Sequence, residues 1–152
     1  MKLVSYRDGA RVRTGAVVEG RVVDLDDAIA ALEVSAARRE FLAARGLEPP
    51  TAGMLRLLGA GPPGMSAISR HVESLMQSGS PGRFPLLETT KLLAPIPRPG
   101  KIIGVGRNYS EHAKEVGGPV QEAPRLFIKL ASSVTGPGGT VMRPASIAKL
   151  DF

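Results

Sequence analysis

Between Ser80 and Gly100 the chain carries prolines at positions 81, 85, 95, 97 and 99. Each proline lacks a backbone donor and biases the residue before it toward extended geometry, so neither a helix nor a central strand can run through this stretch. It divides the sequence in two. Residues 1–97, ending in a proline-rich linker, are expected to form one module, with residues 98–152 beginning a second domain.

The first 25 residues predict a small antiparallel meander. Asp8-Gly9 and Glu19-Gly20 are turn signals between β-branched segments around Leu3–Tyr6, Val12–Val18 and Val22–Leu25. Asp26 then reads as the cap of a helix carrying Leu25, Ala28, Ile29 and Leu32 at helical spacing. Ser35 is expected to cap a second helix with Phe41 and Leu42, and Thr51 a third through Met54, Leu55 and Leu58. The Gly59-Ala-Gly-Pro-Pro-Gly64 run is expected to stop that third helix before a fourth, which puts Met65, Ile68, Val72, Leu75 and Met76 on one face. His71 flanks that face and reads as structural.

Composition excludes several classes. With 43% hydrophobic and 22% charged residues the chain is globular rather than disordered. There is no cysteine, so disulfides and thiolate metal sites are out. No apolar run approaches a membrane span and the N-terminus lacks a signal-peptide core, so a cytoplasmic location is the expectation. The formal charge of +6 is spread over both parts without a block of like charge, and aromatics are only 4%. Nucleic-acid binding is therefore not expected, whereas a small anionic substrate suits a mildly basic surface.

Chemistry concentrates in Lys101–Glu115. It reads as a short apolar strand, a glycine turn and a polar helix with His112 and Glu115 at i and i+3, on one helix face. A carboxylate in that position can orient an imidazole and hold its tautomer, as a water-activating base requires. The same spacing also suits a structural histidine. Gly104-Val-Gly106 has the outline of a dinucleotide-binding turn, but Tyr109 stands where a third glycine belongs and Lys129 where a ribose-binding acid would be. A Rossmann site is not expected. Arg107 and Lys129 suit a carboxylate; Asn108 and Tyr109 suit a keto or enolate oxygen, or else a helix cap and a packed ring.

Gly106-Arg-Asn-Tyr-Ser-Glu-His-Ala-Lys-Glu115 resembles the GxNYxxHxxE segment of the fumarylacetoacetate hydrolase family. Pro124-Arg-Leu-Phe-Ile-Lys129 resembles that family's P-x-L-F-x-K strand, and Ser132-Ser-Val-Thr-Gly-Pro-Gly138 the loop after it. Pro95–Ile102 looks like the approach to the catalytic domain. The resemblance implies that His112 and Glu115 are a catalytic pair on a lid helix. It also implies a Mg²⁺ or Mn²⁺ ion that chelates the keto-enolate oxygens of a 2-oxo or 1,3-dicarbonyl acid. C–C hydrolysis, decarboxylation or an enol–keto shift could follow.

The family's metal ligands are two Glu of an E-x-E strand placed just beyond the position of Phe152, and a later Asp. None has a match here, and Asp151 alone cannot hold Mg²⁺. The expectation is an α+β chain: a meander-plus-helices module, then the first strands (about three) and the lid helix of an unfinished, mostly-β catalytic domain. Such a chain alone holds no metal and is inactive; the complete enzyme is expected to be a homodimer. The alternative is a truncated, non-catalytic accessory or dimerisation module.

Overall fold

The computed structural model describes residues 1–32, 36–44, 53–79, 81–106 and 125–149. The chain divides into two units, Met1–Pro97 with Thr135–Phe152, and Arg98–Val134. The secondary structure is mixed α+β.

In the first unit β1 (Lys2–Asp8), β2 (Arg11–Val18) and β3 (Arg21–Asp24) form an antiparallel sheet in the order β1-β2-β3. The turns set the register. Glu19 and Gly20 both have positive φ (48° and 72°), as a two-residue type I′ turn requires, and Val18 then pairs with Arg21. Gly9 alone is positive in the other turn, which pairs Asp8 with Arg11.

This register sends Leu3, Ala16, Val18 and Val23 to one face. There they meet Leu25, Ile29, Leu57, Ile68 and Val72, which come from the strand end and from helices α1 (Asp26–Ala30), α3 (Gly53–Gly59) and α4 (Gly61–Gln77). Ile68 and Leu57 are essentially inaccessible, so the fourth-helix face read from the sequence does line the core. Helix α2 (Ala36–Ala43) lies between α1 and α3 in sequence; the side chains of Phe41 and Leu42 and the caps at Ser35 and Thr51 lie outside the described ones.

One expectation for this unit needs correction. Asp26 is not the cap of α1. Leu25 is, and Asp26 sits in the first turn with its Oδ1 accepting from the Thr14 N–H at 3.0 Å, while Asp24 Oδ1 accepts from the Asp26 N–H. The glycine–proline run stops α3 at Gly59, as expected, and also opens the next helix. Gly61, Pro62 and Pro63 are the first turn of α4, where the missing proline N–H groups have no helical partner to lose.

The proline-rich stretch is more than a linker. The Val22 N–H donates to Pro85 O and the Leu87 N–H to Gly20 O, along the free edge of β3. A few residues later the Arg7 N–H donates to Lys91 O and the Leu93 N–H to Ser5 O, along the free edge of β1. One segment thus covers both edges of the sheet and removes the unpaired rows that invite aggregation. Proline suits it, since an edge strand can spare donors.

Arg56 of α3 closes α1. Its Nε donates to Ile29 O, and its Nη2 to Ala30 O and Leu32 O, at 2.8–3.1 Å. A five-residue helix cannot satisfy its last carbonyls itself, and a guanidinium is a suitable substitute.

The second unit is built on a hairpin. β4 (Ile102–Gly106) pairs antiparallel with β5 (Arg125–Lys129), Gly104 opposite Phe127 and Gly106 opposite Arg125. The glycine turn expected at 104–106 is therefore strand. About three strands were expected in residues 98–152. The described residues show instead a 3-10 turn at Ala131–Ser133 and no further strand to Lys149; Pro137 and Pro144 lack ladder donors there, and the glycines around Pro137 weaken a strand.

Candidate functional site

Two places bring chemically capable side chains together. The first is on the sheet face opposite the core. Tyr6 stands opposite Arg13, and Gly15 opposite Asp24, so the four share one face across three strands. A Cβ at position 15 would lie 3.2 Å from Tyr6 Cε1 and 2.7 Å from Val22 Cγ1. Glycine there lets the Tyr6 ring lie across β2, and its hydroxyl donates to Asp24 Oδ2 at 2.5 Å.

Arg13 Nη1 donates to the same oxygen at 3.0 Å. Arg13 Nε lies 2.9 Å from Asp8 Oδ2, an ion-pair distance without hydrogen-bond alignment. Asp26 Oδ2 is farther from Arg13, at 3.9 Å. Burial, then the bond to Asp24, pushes the Tyr6 phenol up, so it stays a neutral donor. Burial also raises the Asp26 carboxyl, opposed by the Thr14 N–H. The Asp24 bond holds Arg13 further into its charged range.

An open cleft of about 510 Å³ lies over this network, with Arg7, Thr89, Thr90 and Lys91 at its rim. Its charged lining is mixed, with Arg7, Arg13 and Lys91 against Asp8 and Asp24, one positive charge in excess. The network ties three strands to the start of α1, which is a structural task. The sequence reading did not find it. The signal was present, because two tight turns at Gly9 and Gly20 already fix Tyr6, Arg13 and Asp24 to one face.

The second place is the β4–β5 hairpin. Arg125, Phe127 and Lys129 share one face with Ile102, Gly104 and Gly106, and Ile103, Val105, Leu126 and Ile128 form the other. Lys129 is exposed, with Nζ 5.7 Å from the Phe127 ring centroid. Of the residues singled out in the sequence, Lys129 falls here. His112, Glu115, Arg107, Asn108 and Tyr109 lie outside the described residues, in the connection between β4 and β5. His71 is exposed on α4. Among the described residues there is no group of three or more His, Cys, Asp or Glu side chains that could hold a metal ion, and no helix long and apolar enough to cross a membrane.

Residues 101–152 match the family described as Fumarylacetoacetate (FAA) hydrolase C-terminal. The chain is 39% identical over 72 residues to the Homo sapiens protein named Oxaloacetate tautomerase FAHD2A, mitochondrial; the match covers 46% of this chain and 23% of that protein. It is 31% identical over 123 residues to a Burkholderia multivorans protein with a provisional hydrolase name, covering 64% of this chain and 44% of the relative. A Burkholderia ambifaria protein named in the same way is 34% identical over 103 residues, covering 66% and 36%. The chain thus spans less than half the length of each of these relatives. Its hairpin, and the connection that hairpin closes, fall within the 101–152 segment, and it is that segment which matches the fumarylacetoacetate hydrolase family.

Proposed function

We propose that this chain is part of a metal-dependent enzyme acting on 2-oxo or 1,3-dicarbonyl acids, by an enol–keto proton shift or by hydrolysis. The observation that carries the reading is the family match over 101–152, which contains His112, Glu115 and Lys129 together. Relatives named tautomerase and hydrolase support the two reaction types. Residues 1–97 serve as an accessory module beside the catalytic part from residue 98 onward.

In this reading neutral His112 takes a proton, from water for hydrolysis or from the carbon beside the keto group for tautomerisation. In the second case the proton returns on the keto oxygen and no atom is gained or lost. Glu115 orients the imidazole and supports its cationic form. Lys129 and Arg107 pair with substrate carboxylate, and Asn108 and Tyr109 hydrogen-bond the keto or enolate oxygen. A bound Mg²⁺ or Mn²⁺ would supply Lewis-acid polarisation of that oxygen. The described residues do not provide its ligands.

The test is turnover of oxaloacetate and of an acylpyruvate with Mg²⁺ supplied, by the complete enzyme that contains this segment, in wild type and His112→Ala. General acid–base groups contribute about 10² to 10⁴ in rate, so kcat should fall by that order while metal affinity is unchanged. Full activity in His112→Ala would make His112 a structural helix residue. Glu115→Gln should be milder, because it keeps the hydrogen bond and loses only the charge.

A further inference from the structure

Phe127 occupies an unusual seat. It is directly opposite Gly104, and a Cβ there would come 2.3–2.8 Å from three atoms of its ring. The ring therefore covers the glycine backbone and reaches toward Gly106, where a Cβ would be in ordinary contact at 3.8 Å. An aromatic ring laid over a cross-strand glycine fills the gap that glycine leaves and pins the register. Phe127 is also less exposed (46%) than its neighbours Leu126 (66%) and Ile128 (80%). On the same face, two residues on, the Lys129 ammonium stands over that ring.

We infer that Phe127 is a positioning residue for Lys129: seated on Gly104, it is the table on which the ammonium is held to meet a substrate carboxylate. The inference rests on the assignment of Lys129 as a substrate contact. A lysine stem has four flexible carbons and the ammonium offers no geometry of its own. Ordering it at the moment of binding costs side-chain entropy. A ring face fixed by the opposite strand restricts the stem beforehand through cation–π attraction. This also gives Gly104 its reason: any side chain at 104 would displace the ring, and with it the lysine.

The first measurement needs no variant. In the wild-type protein the Gly104 Hα and Lys129 Hε resonances should be shifted upfield by the ring current, and ordinary positions would overturn the proposal. In the complete enzyme that contains this segment, turnover of oxaloacetate with Mg²⁺, and inhibition by oxalate, then separate the roles. Lys129→Met should raise KM and the oxalate Ki by about 10- to 100-fold. Phe127→Leu should raise both by about two- to fivefold with kcat nearly unchanged, the size of an exposed cation–π contact. Phe127→Tyr, which keeps the ring, should restore the resonance shifts and both constants. If Lys129→Met weakens binding and Phe127→Leu does not, the positioning role falls and the substrate contact stands. If Lys129→Met changes neither constant, the substrate contact falls and the positioning role with it.

Discussion

Tyr6 shows how a single side chain can tie a sheet together. Its ring crosses a glycine to reach a carboxylate on the next strand but one, and burial keeps the phenol neutral. Tyr6→Phe should lose about 1–2 kcal/mol, a hydrogen bond to a charged acceptor moderated by the partial exposure of Asp24 and by its remaining bond to Arg13. The phenol's folded pKa is raised above its ordinary 10.0, so its contribution is complete below pH 10 and is lost as pH rises beyond it. Urea denaturation from pH 8 to 11 should show that alkaline loss in wild type and a smaller one in Tyr6→Phe. Asp26 gives an acid-side counterpart. Its carboxyl is also raised, so the folded state holds the proton more tightly, and the stability it contributes falls as pH rises past the ordinary 3.8. Asp26→Asn keeps an oxygen for the Thr14 N–H. Its stability relative to wild type should therefore increase between pH 3 and 7; a constant difference would mean the carboxyl is not raised.

Among the elements, the helical and strand periodicities were legible and the edges were not. The three strands, their two turns and the buried stripe of α4 follow from alternation, glycine placement and helical spacing. The strap did not, because proline announces only what a segment cannot do. That Pro85 and Lys91 lend carbonyls to opposite edges of one sheet depends on where a chain of that length can reach. Gly104 and Gly106 were misread for a related reason. A glycine in a strand is indistinguishable in sequence from a glycine in a turn until the residue opposite, here Phe127, is known. The candidate site was legible only as motif: Lys129 stands on β5, whereas its proposed partners lie outside the described residues. The strap yields its own prediction. Leu93→Pro removes the donor to Ser5 O and should speed amide exchange at Arg7, its neighbour on the same edge, while Val22, bonded to Pro85, keeps its protection. Equal loss at Arg7 and Val22 would show that the strap opens as one piece.

At the scale of the molecule the two units differ in what holds them. The first has a three-stranded sheet covered by helices on one face and a strap along both edges, with Leu25, Ile29, Leu57 and Ile68 removed from water. The second has, among its described residues, a two-stranded hairpin whose Ile103, Val105, Leu126 and Ile128 face is exposed. Two strands are marginal in water without a third or a packed helix. Each fully buried aliphatic side chain contributes about 1.5–3 kcal/mol, and the hairpin's apolar face realises little of that. Hydrogen exchange should therefore resolve two levels of protection. Amides of β2 and β3, such as Ala16 and Val23, should exchange only with unfolding of their whole unit. Ladder amides of β4 and β5 should exchange by local opening, many-fold faster. Protection at Ile103 and Ile128 equal to that at Val23 would require the apolar face to be covered in solution. Repeating the measurement over a hundredfold range of protein concentration would then show whether a second copy provides the cover, since only association makes protection concentration-dependent.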